Sequence, residues 1–150
     1  YSIFLFGYLS EDKNILIFLR DEVSKDANWR VQEVLAKSFD EFCKRTGYEK
    51  ALPVIDDWLK SSNPNTRRAV TEGLRIWTGR PYFKENPNEA IRRLAALKDD
   101  SSEYVRKLVG NALRDISKKY PELIRIELNS WNLETKEITQ VYKLASKFLR

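Results

Sequence analysis

The residue types in this chain limit the catalysis that it can perform. The sequence has no His, which excludes the usual general base, His-containing catalytic triads and almost all zinc chemistry. Cys43 is the one cysteine, and its neighbours Phe39, Phe42 and Tyr48 indicate a small buried apolar side chain rather than a nucleophile. Any catalysis must therefore rest on carboxylates, Tyr, Lys or Arg, and we expect neither a metal nor a cofactor.

One spacing relates an aromatic side chain to a carboxylate. Trp29 and Glu33 stand four residues apart, which places them on one face of a helix, about a turn from each other. Lys37 follows Glu33 at the same spacing. From these residues alone, a surface ion pair between Glu33 and Lys37 explains the glutamate better than catalysis does. Trp29, at a helix start, has a simple alternative role in covering the end of the core.

The composition is that of an ordinary soluble protein and favours an anionic partner, although moderately basic proteins without one are common. The 150 residues suffice for one domain, and a net charge of +5 favours a polyanion. The apolar residues 1–9 are too short to cross a bilayer and lack the basic start of a signal peptide, so we predict a core-facing helix there and no membrane partner. A single cysteine suits a reducing cytoplasm, and the absence of Met indicates a fragment.

Hydrophobic periodicity predicts an all-α chain without strands. The predicted helices cover residues 28–45, 48–60, 64–77, 87–98, 103–120, 122–131 and 135–149. Asn63 and Asn86, each followed by proline, are predicted N-caps, and Glu89 is predicted to complete a capping box. Gly47 is predicted to end the first of these helices. The short polar connections favour antiparallel packing of neighbouring helices.

The helices repeat at an interval of about 40 residues. Leu59-Lys60-Ser61-Ser62 lies 38 residues before Leu97-Lys98-Asp99-Asp100, and Arg68 lies 38 residues before Arg106. Helix pairs at this interval are typical of HEAT-like and armadillo-type arrays, in which one helix of each pair lines a concave surface. We therefore predict a helical repeat solenoid, an α-α superhelix, formed by residues 1–150 as a single domain.

The helices that begin near residues 28, 64 and 102 form one equivalent set and carry much of the basic charge. Their basic side chains are Arg30, Arg67, Arg68, Arg75, Arg106, Lys107 and Arg114. On a concave face, these side chains would make a positive groove suited to a nucleic acid backbone. Charge alone supports equally well a set of solvated helix faces, on which Arg114 pairs with Asp115 and Arg75 pairs with Glu72.

Three segments resemble motifs of bacterial DNA alkylation repair proteins of the AlkC and AlkD type. The first runs from Trp29 to Ala36, and the second, Arg67-Arg68-Ala69-Val70-Thr71-Glu72-Gly73, is similar to their Arg-Arg segment. The third comprises Tyr104-Val105-Arg106-Lys107, Asn111-Ala112-Leu113-Arg114-Asp115-Ile116-Ser117-Lys118 and Tyr120-Pro121-Glu122, and it is closest to the AlkC branch. Each motif alone is moderately specific, but the three in this order, at the repeat interval, are a strong signal over about residues 28–131.

This resemblance implies HEAT-like repeats around duplex DNA and hydrolysis of the N-glycosidic bond of 3- or 7-alkylated purines. It assigns the catalytic carboxylate to Glu33, the aromatic that packs on the sugar of the lesion to Trp29, and the arginine that grips the nearby backbone to Arg68. Asn111 falls where the AlkD branch has Trp, which favours the AlkC branch or a paralogue with weak or no activity. Relative to the family, we expect one or two N-terminal helices of the DNA clasp to be missing.

The implied reaction suits a chain without His. An N3- or N7-alkylpurine is already cationic and leaves readily, so the barrier lies in the oxocarbenium character that grows at the sugar. A carboxylate such as Glu33 would oppose that charge and orient a water. The indole of Trp29 would add roughly 0.5–2 kcal/mol as a cation–π contact. Arg68 and its basic neighbours would hold phosphates, which position the duplex without reading its sequence.

Three functions remain open at this level. The first is a monomeric glycosylase that acts on double-stranded DNA containing alkylated purines in the bacterial cytoplasm, with no obligate protein partner. The second is a non-catalytic relative that binds DNA by shape, which Asn111 supports. The third is a HEAT-type scaffold that binds an acidic protein, and a strongly salt-dependent affinity for duplex DNA would count against it.

Overall fold

The structure, a computed structural model, describes residues 29–149 and the side chains of residues 32–149. This part of the chain contains eight helices and no strand, which confirms the all-α prediction. The helices are α1 (Trp29–Thr46), α2 (Tyr48–Leu59), α3 (Pro64–Trp77), α4 (Pro81–Glu85), α5 (Pro87–Ala95), α6 (Glu103–Ser117), α7 (Pro121–Asn129) and α8 (Lys136–Ala145). None of these described helices has the length and apolarity of a membrane span. The helix predicted over residues 1–9 lies outside the described residues.

The helices divide into two compact units, with the boundary between Gly73 and Leu74 inside α3. In the first unit α1 packs against α2, and the rings of Phe39 and Trp58 stack with centroids 4.1 Å apart. Cys43 is fully buried in this core, as predicted. Because the unit boundary divides a helix, the interpretation of residues 1–150 as a single domain stays a prediction.

Gly47 separates α1 from α2 and has the positive φ that its predicted role requires. Its φ of 94° lies in a region that side chains with a Cβ disfavour. Its N–H donates to the carbonyl of Cys43 over 2.9 Å, which satisfies one of the last carbonyls of α1. A single residue therefore suffices to connect α1 to α2.

In the second unit, α6 packs most extensively against α8 and also contacts α5 and α7. Gly110 permits this approach, because a Cβ at that position would lie 2.7 Å from the Cβ of Leu144. Trp77 is fully buried and stacks on Phe83 at 5.7 Å between centroids, which places this tryptophan in the core. Trp131 is also buried, over the ammonium of Lys98.

The turns before α3 and α6 repeat one arginine contact, and they correct the predicted interval. Arg67 Nη1 donates to the carbonyl of Ser61 over 2.8 Å, and Arg106 Nη1 donates to the carbonyl of Asp100 over 2.6 Å. Each arginine reaches the residue six positions before it. The equivalent arginines are thus Arg67 and Arg106, 39 positions apart, whereas the pairing of Arg68 with Arg106 at 38 positions was one residue out of register.

A further hydrogen bond supports the 39-residue interval. The N–H of Asn63 donates to Ser61 Oγ over 3.2 Å, and the N–H of Ser102 donates to Asp100 Oδ1 over 2.9 Å. Asn63 and Ser102 then cap their helices, since each side chain accepts a backbone N–H from the first turn. The 39-residue repeat is therefore seen in the hydrogen bonds of the turns as well as in the spacing of the helices.

Asn86 is the N-cap residue of α5, as predicted, although its side chain makes no cap hydrogen bond and its Nδ2 donates instead to the carbonyl of Tyr82. The capping box predicted at this helix start was wrong. Glu89 binds Arg93 and Arg92 rather than completing a capping box, with Arg93 Nη1 at 2.6 Å and Arg92 Nη2 at 2.8 Å from the same oxygen. The hydrogen bond from Arg93 and the charges of both arginines outweigh partial burial and hold the pKa of Glu89 below its ordinary value.

Candidate functional site

Glu33 lies on the exposed side of α1, one turn after the helix begins. The helical backbone that the Trp29–Glu33 spacing requires is confirmed, since α1 starts at Trp29 and runs through Glu33. The side chains of Trp29 and Arg30 lie outside the described residues. The alternative ion pair between Glu33 and Lys37 is not among the salt bridges of residues 32–149. The carboxylate of Glu33 is therefore open to solvent on the helix that the sequence motif identified.

Arg67 and Arg68 are neighbours on α3 with different environments. Arg67 is only 8% exposed, and its guanidinium holds the turn at Ser61. Thr71 is buried one turn later and donates its hydroxyl to the carbonyl of Arg67. Arg68 is partly exposed. This contrast gives Arg67 a structural task and leaves Arg68 the better placed of the two for contact with a ligand.

Arg75 and Arg114 converge on one carboxylate in the second unit. Arg75 Nε lies 2.7 Å from Asp115 Oδ2, and Arg114 Nε lies 3.4 Å from Asp115 Oδ1. Burial would raise the pKa of Asp115, but the hydrogen bond and charge of Arg75, with the charge of Arg114, hold that pKa below its ordinary value. The structure thus brings two predicted DNA-binding residues together through an acid that partly neutralises them.

The remaining predicted residues lie along α6. Arg106 Nε approaches Gln140 Oε1 at 3.4 Å in addition to its bond to the preceding turn. Lys107 Nζ lies 3.4 Å from Glu103 Oε1 on the helix surface. The hydrogen bond and charge of Lys107 lower the pKa of Glu103. Asn111 is half-buried on the same helix.

The structure therefore distributes the predicted residues over two separately described units. Glu33, Arg67 and Arg68 belong to the first, and Arg75, Arg106, Lys107, Asn111 and Arg114 belong to the second. The predicted roles of these residues stay predictions. Sequence reasoning missed Phe148, whose ring is 49% exposed and lies 5.0 Å from the ammonium of Lys118. A single aromatic near the end of a predicted amphipathic helix gave no signal of its own.

Comparison with known proteins identifies the family. Residues 7–139 match the sequence profile of a family described as DNA alkylation repair enzyme. The chain belongs to this DNA alkylation repair family. It is 37% identical over 87 residues to the uncharacterized Bacillus subtilis protein YhaZ. That match covers 55% of this chain but only 24% of YhaZ, so the chain spans about a quarter of this relative.

Solved structures from the same family share the helical repeat fold. The crystal structure of smu.31 from Streptococcus mutans matches with 78% identity and a TM-score of 0.97, covering 100% of this chain and 75% of that one. AlkD2 from Streptococcus mutans matches with 80% identity and a TM-score of 0.96, covering 99% and 72%. The alkylpurine DNA glycosylase AlkC of Pseudomonas fluorescens, bound to DNA containing an abasic site analog, matches with 28% identity and a TM-score of 0.67, covering 89% and 42%.

Proposed function

We propose that this protein is an alkylpurine DNA glycosylase that hydrolyses the N-glycosidic bond of 3- or 7-alkylated purines in duplex DNA. The observation that carries this proposal is the solvent-exposed carboxylate of Glu33 on α1, in a chain of the DNA alkylation repair family. The AlkC relative, bound to DNA containing an abasic site analog, supports the same class of reaction, since an abasic site is what remains after a base is released.

Glu33 would act by electrostatics rather than by proton transfer to the base. The alkylated purine leaves as a neutral base, because its positive charge is discharged when the glycosidic electron pair moves onto it. The sugar then carries the positive charge, which a carboxylate stabilises, and a water oriented by that carboxylate supplies the hydroxyl. Water delivers its remaining proton to the carboxylate or to solvent. No step requires a metal.

Arg68 would hold the backbone beside the lesion. It lies on α3 next to an arginine that fixes the preceding turn, so its own helix is well anchored. Guanidinium groups bind phosphate oxygens in paired hydrogen bonds, which gives position without sequence preference. We infer that duplex DNA containing an alkylated purine is the substrate and that a monomer carries out the reaction.

The test of this proposal is base release from methylated duplex DNA by the purified protein, measured beside its affinity for the same duplex. Free 3-methyladenine or 7-methylguanine that accumulates with enzyme concentration supports the glycosylase. Duplex binding in the nanomolar to micromolar range without any base release supports the second candidate, a non-catalytic member of the family that binds DNA. The absence of both duplex binding and base release would overturn the two candidate functions.

One structural observation bears on DNA binding by either candidate. At least five of the predicted cationic contacts already have internal partners: Arg67 holds the Ser61 carbonyl, Arg106 holds the Asp100 carbonyl, Arg75 and Arg114 share Asp115, and Lys107 pairs with Glu103. Side chains engaged in this way must give up a bond to contact phosphate. Duplex affinity should then depend only weakly on salt concentration. The slope of log affinity against log salt should correspond to about one or two phosphate contacts.

A further inference from the structure

An exposed aromatic ring lies among cations just after α8. The ring of Phe148 is 49% exposed. Its centroid lies 5.0 Å from Lys118 Nζ, 5.8 Å from Arg114 Cζ and 5.9 Å from Lys147 Nζ. Arg114 and Lys118 come from the end of α6, so the cluster joins two chain segments of the second unit.

Ordinary helix chemistry explains only part of this cluster. A cation at a helix C-terminus interacts favourably with the helix dipole, which accounts for Lys118 at the C-cap of α6. It does not account for a large apolar ring left half in water between three cations. Within residues 32–149, no salt bridge joins Lys118 or Lys147 to a carboxylate. The cluster thus combines a half-exposed aromatic ring with positive charge.

This combination matches one class of ligand best. A nucleobase is planar and stacks on an aromatic face, while the phosphates on either side of it carry the negative charges that flanking cations attract. An acidic peptide would satisfy the cations but would gain little from the ring. A paired base inside a duplex has both faces covered by its neighbours, so it offers a face to protein only at the cost of unstacking, whereas an unpaired base does not pay that cost.

We propose that Phe148 is a stacking site for an unpaired nucleobase of DNA, with Lys118, Lys147 and Arg114 contacting the adjacent phosphates. The site rests on the DNA partner of the proposed function but not on its chemistry. It would give the protein added affinity for DNA in which bases are exposed, as they are in a single-stranded extension or opposite a gap.

The test compares fluorescence anisotropy of labelled oligothymidylate with that of a sugar-phosphate oligomer of the same length that lacks bases. We expect the base-containing strand to bind roughly tenfold more tightly. The sugar-phosphate oligomer keeps the phosphate contacts but has no base that can stack on the ring. Phe148→Ala should abolish the difference, and Phe148→Tyr should keep it. Lys118→Gln with Lys147→Gln should weaken binding of both probes.

Matched controls come from the same unit. Ile126→Ala removes another exposed apolar side chain, and Lys84→Gln removes another exposed lysine; neither should change the preference for bases. A preference that survives Phe148→Ala would overturn the proposal. So would equal binding of the two probes, or displacement of the oligothymidylate by polyglutamate of equal charge, which would point to an acidic polypeptide.

The outcome is separable from that of the glycosylase assay. Absence of base release with an intact preference for unpaired bases would remove the glycosylase and keep this site. Base release without such a preference would keep the glycosylase and remove this site.

Discussion

At the scale of single residues, Arg67 and Arg68 are adjacent in sequence but differ in environment. The guanidinium of Arg67 is buried and satisfies a turn carbonyl, so Arg67→Gln should lower the free energy of unfolding by about 1–3 kcal/mol. Arg68→Gln should weaken duplex binding about tenfold and reduce the salt slope of that binding by about one. Urea denaturation and salt-dependent anisotropy separate the two effects. Equal loss of DNA affinity in both variants at unchanged stability would contradict this division.

Asp115 provides a prediction with a defined pH dependence. Its interaction with Arg75 lowers its pKa in the folded protein, so the ionised form stabilises the fold above the ordinary value of 3.8. Because both partners are partly exposed, Asp115→Asn should cost about 1 kcal/mol at neutral pH. The cost should be constant above about pH 5 and shrink as the pH falls below 3.8 towards the lower folded pKa.

The control for this prediction is Asp99→Asn at an exposed position. Urea denaturation of both variants and the parent, repeated from neutral to acidic pH, gives the comparison. A destabilisation by Asp115→Asn that grows as the pH falls would show that the sign of the coupling is wrong.

At the scale of elements, the packing of α6 on α8 depends on Gly110. A methyl group there would lie 2.7 Å from Leu144 Cβ, so Gly110→Ala should lower stability by about 1–3 kcal/mol despite the higher helix propensity of Ala. Gly79→Ala is the control, since its added Cβ meets no atom closer than 3.6 Å. Thermal denaturation by circular dichroism measures both. A stability for Gly110→Ala at or above the parent would mean that α6 and α8 are not in close contact.

Sequence reasoning predicted helix starts better than helix ends. Helices begin in the structure at three prolines that marked predicted starts, Pro64, Pro87 and Pro121. Proline is favoured there because the first helical position loses no hydrogen bond. The helix predicted to reach residue 98 ends at Ala95, after which backbone bonds tighten to three-residue spacing. The five-residue helix α4 was missed because a single turn has no detectable period.

At the scale of the whole molecule, the sequence predicted the fold class, the family and the possible pairing of Arg114 with Asp115, but not the bond between Arg75 and Asp115. The motif order around Trp29, Arg67 and Tyr104 was sufficient for the family, which the comparison with known proteins confirmed. The bond between Arg75 and Asp115 spans 40 positions and depends on helix packing, whereas the spacing along one helix could suggest only Glu72 as a partner for Arg75. The exposed ring of Phe148 likewise depends on where α6 ends relative to α8.

The claim on which the functional account depends is that the carboxylate of Glu33 promotes loss of the alkylated base. The most direct test is single-turnover base release from methylated duplex DNA at saturating protein, comparing the parent with Glu33→Gln and with the control Glu49→Gln, an exposed glutamate on α2. We predict that the rate of base release falls about 100- to 1000-fold in Glu33→Gln while duplex affinity is unchanged. Glu49→Gln should release bases at the parental rate. Base release by Glu33→Gln at the parental rate would contradict the account.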